Sequence, residues 1–241
     1  MKRNIITLLI TVFAMLQATA QTYDNLWRQA DIIAQKDQPK SEIGVMKKII
    51  SKATAAKDYG QLLAAEIRQA ILWREISPDS LTPNVKRMET EALKAKDPVL
   101  KAVRYAVLGK VYREVNGKKS EEFFKKALEQ PELLARNASS GYVPLTLKGV
   151  DGSSFNNDLL HLIGFEADSK EAYHLMYTYY NKVGNRGAAC LCAYKLIEKY
   201  RQDDVREVRK SKYLNTIDSL IHVYQDIPEA GELAVEHFRF M

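Results

Sequence analysis

Apolar residues return at three- and four-residue steps in one segment after another, and that period constrains this chain more than any other feature. Ile43, Met46, Ile50 and Ala53 form one such stripe. Leu63, Ile67, Ala70 and neighbouring Trp73 repeat it after "KDYG". Val99, Val103 and Ala106 share a face of the next segment, while Leu108, Tyr112 and Val115 extend its apolar surface sideways. This spacing is the signature of amphipathic helices, and a helix apolar on more than one side is sandwiched between neighbours. Helix-start signals fall between the stripes. Ser77-Pro78, Asp97-Pro98 and Gln130-Pro131-Glu132 put proline near a first turn, where its missing N–H costs nothing. Ser169-Lys170-Glu171 adds a capping hydroxyl and an acid that favours the positive end of the helix dipole.

Strands leave almost no trace. "GYVPLTLKG" alternates briefly, but its proline and flanking glycines reduce it to an edge strand or a loop. The expected fold class is all-α, built of antiparallel helical hairpins. The segment 136–158, "RNASSGYVPLTLKGVDGSSFNND", is rich in Gly, Ser and Asn and separates two helical halves. Its apolar residues Tyr142, Leu145, Leu147 and Phe155 need burial, so it is expected to pack as a crossover and not to hang free.

The N-terminus reads as a secretory signal. Lys2 and Arg3 precede a largely apolar run from Ile5 to Leu16, and small residues Ala18 and Ala20 set up cleavage between Ala20 and Gln21. The run falls short of the about 20 apolar residues of a membrane span. The expected organisation is a signal over 1–20, helical hairpins over 21–135, an irregular connection over 136–158, and further hairpins over 159–241. Export predicts a periplasmic or envelope-associated protein. The net charge is +6, with both signs mixed along the chain, which argues against a nucleic-acid partner.

"NKVGNRGAACLCAYKL" concentrates the remaining candidates. Tyr173, Met176, Tyr177 and Tyr180 lie within about 100° of one another on a helical wheel. After the turn, Ala189, Cys192, Ala193, Leu196 and Tyr200 define a second stripe. Large aromatics therefore face small residues across a short joint. Gly184 suits the turn because it tolerates positive φ, and Gly187 and Ala188 let the backbones draw near. Cys190 and Cys192 diverge by about 200° on a helix, so a bridge between them would break it. They read as structural thiols, with Cys192 a small core filler. Tyr173, Tyr180, Gly184 and Ala189 fall at spacings that resemble a tetratricopeptide hairpin, so the architecture is expected to be a tetratricopeptide-like α-solenoid.

Chemistry-bearing patterns are sparse. Asp218, His222 and Asp226 recur at i, i+4 and i+8, but two full turns spread the outer pair about 12 Å apart. "VDGSSFNND" offers oxygen atoms around Asp151 without the spacing of a calcium loop. The chain has no Gly-Lys-Ser/Thr phosphate loop, no His-Glu-X-X-His and no Gly-X-Ser-X-Gly. No catalytic residue, metal ligand, cofactor or small-molecule substrate is inferred, and a non-enzymatic protein is expected.

Several stretches in order resemble the N-terminal region of large exported bacterial alpha-2-macroglobulin-like proteins. They are "TYDNLWRQAD", "DYGQLLAAEI", "ISPDSLTP", "KDPVLKAV", "FNNDLLHLIGFE", "YYNKVGNRGAACL" and "DIPEAGELAVEHF". The resemblance implies a helical prefix ahead of β-sandwich macroglobulin domains that trap proteases, often with a thioester. A thioester needs a Cys followed three residues later by Gln, and neither Cys190 nor Cys192 has one. The bait region and sandwich domains are absent as well. The ending "AGELAVEHFRFM" is amphipathic without a stop signal, so the expectation is a truncated scaffold whose partner is the missing downstream part. The alternative is a self-contained envelope adaptor that binds a protein or peptide.

Overall fold

The computed structural model describes residues 23–240 apart from 78, 80, 114–115, 147–148, 150 and 204–206. The signal and its cleavage point at Ala20 and Gln21 lie outside the described residues. The described chain is all-α: twelve α-helices, no strand, and one isolated bridge between Ala138 and Asp158. The helices are α1 (residues 23–34), α2 (Pro39–Ala56), α3 (Tyr59–Ile76), α4 (Leu81–Lys94), α5 (Pro98–Tyr112) and α6 (Gly117–Ala127). They continue as α7 (Pro131–Ala135), α8 (Leu159–Ala167), α9 (Lys170–Lys182), α10 (Arg186–Asp203), α11 (Glu207–Tyr224) and α12 (Ala230–Phe240). None is long and apolar enough to cross a membrane.

Local chemistry explains most of the starts. Pro98 sits in the first turn of α5, and the Asp97 carboxylate accepts from the N–H groups of Val99 and Leu100, both at 2.9 Å. Ser169 caps α9 by accepting from Ala172 N–H. Asp58, Asn116 and Asp158 do the same for α3, α6 and α8. Proline also opens α2 and α7. Each cap satisfies a donor that the helix itself leaves orphaned.

The chain divides into two compact units, one ending at Arg87 but reclaiming Tyr142–Leu145, the other comprising Met88–Gly141 and Thr146 onward. In the first unit α2 packs on α3, and α1 joins their core. Ile43, Met46, Ile49, Ala53, Leu62 and Ala65 form a mainly aliphatic interior, joined by the buried ring of Tyr23 and edged by Trp27, Tyr59 and Trp73. The stripe is rotated slightly from the expected one: Ile49 is fully buried, and Ile50 only leans against the cluster. Glu42 is buried here and receives Arg68 Nε at 2.7 Å. Gly60 lies where any Cβ would collide with the backbone carbonyls of Tyr142 and Val143.

In the second unit the pairs α5–α6, α9–α10 and α11–α12 pack closely, and α8 touches α5, α6, α7 and α9. The segment between α7 and α8 holds a 3-10 turn over Ser139–Tyr142 and further turns at 143–145 and 151–157. Phe155 is fully buried and Tyr142 nearly so, whereas Leu145 is half-buried and Leu147 lies outside the described residues.

Candidate functional site

The α9–α10 joint is made by three residues. Val183 ends α9, Gly184 turns the chain at φ +77°, and Asn185 Oδ1 accepts from Ala188 N–H to start α10. Asn185 also donates through Nδ2 to Ser154 O at 2.9 Å, tying the joint to the irregular segment. Tyr173, Met176 and Tyr180 are buried on α9, and Ala188, Ala189, Cys190 and Cys192 are fully buried on α10. Tyr177 is half-buried at the edge of this interface. Gly187 stands elsewhere than its spacing suggested. A Cβ there would lie 2.7 Å from Glu229 Oε1, so its smallness admits the corner before α12 and not α9. Next to it, the Arg186 guanidinium grips Asp226 and donates to Val223 O at 2.7 Å.

Beneath the joint lies a buried polar network that sequence reasoning missed. Asp158 caps α8, accepting from His161 N–H at 2.8 Å. The Tyr180 hydroxyl reaches both of its carboxylate oxygens at 2.9 Å. The carboxyl is 2% exposed, and burial pushes its pKa up to about 6 against the hydrogen bonds that favour the charge. Burial and the adjacent carboxylate also push the Tyr180 phenol far above its ordinary range. Phe155 stacks on the His161 ring at 4.0 Å and meets Tyr180 and Phe165 edge-on. The sequence signal was the capping position: Asp158 directly precedes the apolar run "LLHLIGF".

A second polar pair closes the other end of α9. Tyr173 donates to Asp168 Oδ1 at 2.8 Å, and Lys199 Nζ donates to Oδ2 at 2.6 Å. Partial burial works against the Asp168 charge, but these two donors outweigh it and hold the carboxyl below its ordinary value. Both cysteines are free. Burial raises the Cys190 thiol to about 12 and Cys192 further still, which keeps both protonated near neutral pH.

Above the joint, α9, α10 and α11 leave an open groove of about 540 Å³. Tyr177 contributes from α9, Leu196, Ile197 and Tyr200 from α10, and Tyr213 and Leu220 from α11. Tyr213 donates to Tyr200 O at 3.2 Å, and Lys170 Nζ lies 4.5 Å above the Tyr200 ring. The floor is apolar and the rim is phenolic.

The spaced set Asp218, His222 and Asp226 does not converge. Asp226 is held by Arg186, Asp218 faces His237 Nε2 at 3.1 Å, and His222 is exposed. Among the described residues no three His, Cys, Asp or Glu side chains come together as a metal site would require. No family model, curated protein or solved structure matches this chain.

Proposed function

We propose that this chain is a non-catalytic, exported helical scaffold whose second unit docks an apolar segment of a protein partner in the α9–α10–α11 groove. The observation that carries the reading is the groove itself. It has an apolar floor with three tyrosines at its edge, the residue type that gives large contact area at low entropic cost and finds polar partners at a rim. Successive hairpins of the tetratricopeptide-like kind would supply such concave faces. The absence of catalysis is part of the proposal. Asp158, Glu42 and Glu236 are buried acids with structural donors, and both thiols are raised far above neutrality. Export rests on the signal pattern at residues 1–20. The resemblance to the prefix of alpha-2-macroglobulin-like proteins makes a macroglobulin body the expected partner, and an unrelated envelope protein is the occupant under the adaptor reading.

Site-specific photo-crosslinking in the intact cell envelope tests this. A photoreactive residue at Leu220 or Tyr200 should trap the same protein, and one at exposed Lys47 of the first unit should not. Leu196→Arg should abolish the product while leaving thermal unfolding within a few degrees. Equal trapping from Lys47, or indifference to Leu196→Arg, would sink the groove. An N-terminus at Gln21 in the envelope fraction tests export separately.

A further inference from the structure

The α5–α6 pair is the most basic part of the molecule, carrying Lys101, Arg104, Lys110, Arg113, Lys118, Lys119, Lys125 and Lys126 against Glu114, Glu121 and Glu122. Some of that charge is neutralised: Lys110 and Arg113 pair with Glu166, and Lys119 with Glu89. The positions 101, 105 and 112 on α5 and 119, 123 and 126 on α6 follow one-face spacing. They bring a lysine–aromatic ladder together. Tyr112 stacks on Phe123 at 5.5 Å, Tyr105 lies 6.0 Å from Phe123, and Lys119 Nζ sits 4.7 Å above Tyr112. At the far end Lys126 Nζ lies 5.3 Å from the Phe123 ring centre and 5.9 Å from that of Tyr105.

That end opens into a cleft of about 250 Å³ lined by Lys101, Tyr105, Lys126, Glu129, Gln130 and Leu133. Its chemistry is composite. Two ammonium groups would attract a carboxylate, and neither cation has a carboxylate partner among the described ion pairs. Glu129 and Gln130 are exposed acceptors suited to hydroxyl donors. Tyr105 and Leu133 offer an apolar wall, against which the C–H face of a ring can lie. A bare anion would leave that wall and the Glu129 carboxylate without use, and the carboxylate would repel it. A neutral sugar would leave the lysines without use.

We propose that this cleft binds one residue of an acidic glycan, a sugar carrying a carboxylate, with Lys101 and Lys126 on the acid, Glu129 and Gln130 on ring hydroxyls, and Tyr105 against the ring face. The volume fits a single hexose-sized ring, and the rest of a chain can run along the Lys119 end of the ladder. The site is independent of the tyrosine-lined groove, which is built from other helices.

The test is titration of the full chain with tri-galacturonate, with maltotriose and inorganic phosphate as comparison probes, followed calorimetrically. Tri-galacturonate should bind, and Lys101→Ala with Lys126→Ala should weaken it about tenfold or more, as loss of charge-assisted contacts does. Tyr105→Ala should weaken it too, while the charge-matched pair Lys47→Ala with Lys48→Ala should leave it unchanged. Thermal unfolding of each variant checks that the fold persists. The proposal falls if tri-galacturonate does not bind at millimolar concentration, if phosphate or maltotriose binds as tightly, or if the Lys47/Lys48 variant loses as much as the cleft variant.

Discussion

The α2–α3 pair and the α9–α10 pair are both two helices joined by a short turn, yet their interiors are built on different chemistry. Between α2 and α3 the contact is mainly aliphatic, with Met46, Ile49, Leu62 and Leu72 buried and the Glu42–Arg68 ion pair beside them. The turn uses Lys57 at φ +55° although no glycine is present there. Between α9 and α10, aromatics meet alanines and cysteines, the turn uses Gly184, and a carboxylate sits under the packed rings. An aliphatic contact tolerates volume-conserving change. The aromatic one depends on a polar network that must stay satisfied.

The sharpest way to break this contrast is at Phe155. Phe155→Ala should cost about 3–5 kcal/mol, measured by urea unfolding of the full chain, because the ring is fully buried against His161, Phe165 and Tyr180. A loss below about 1 kcal/mol would reduce the irregular segment to a cover. The network should also respond to pH. The folded-state pKa of Asp158 lies at about 6, above its ordinary 3.8, so the folded chain holds that proton more tightly. The resulting stabilisation is full below the ordinary value and is lost as pH rises through about 6. Relative to Asp158→Asn, which keeps the cap acceptor, the native chain should lose up to about 3 kcal/mol between acid and neutral pH. Parallel curves for the two proteins would mean that the carboxyl is solvated.

The two turns give opposite, smaller effects. Gly184→Val should destabilise by about 1 kcal/mol, since its φ lies in the left-handed region. Lys57→Gly should stabilise by up to about 1 kcal/mol for the same reason read in reverse. Calorimetric melting of both variants checks the pair, and equal signs would refute it. Smallest of all, replacing Cys190 by Ser and Cys192 by Ala should leave groove crosslinking intact, and the native thiols should resist Ellman's reagent until the chain unfolds. Rapid native labelling would contradict their burial.

Periodicity and capping made the helices legible. Asp97-Pro98 and Ser169 announce their helices in the sequence and open them in the structure. The starts at Pro39, Asp58 and Asn116 carry comparable signals that the stripes overshadowed. Partners distant in the chain were not legible. Nothing in the spacing of Gly187 points to Glu229, and nothing near Asp158 points to Tyr180 22 positions later. The groove was equally hidden, because it needs α11 laid beside α9 and α10. The basic ladder escaped notice because its lysines are spread over two helices, so that only the fold gathers them.

Tyr142–Leu145 belongs to the first unit although both its flanks belong to the second, and Gly60 leaves the room in which Tyr142 and Val143 lie against it. A polypeptide emerging from the ribosome N-terminus first cannot complete the first unit when Arg87 appears. It must wait until Leu145 has been synthesised, and by then the residues of α5, α6 and α7 of the second unit have been synthesised too. The two units are therefore interleaved in time as well as in sequence, and a nascent chain halted at Ala135 would carry a first unit still lacking one of its own pieces.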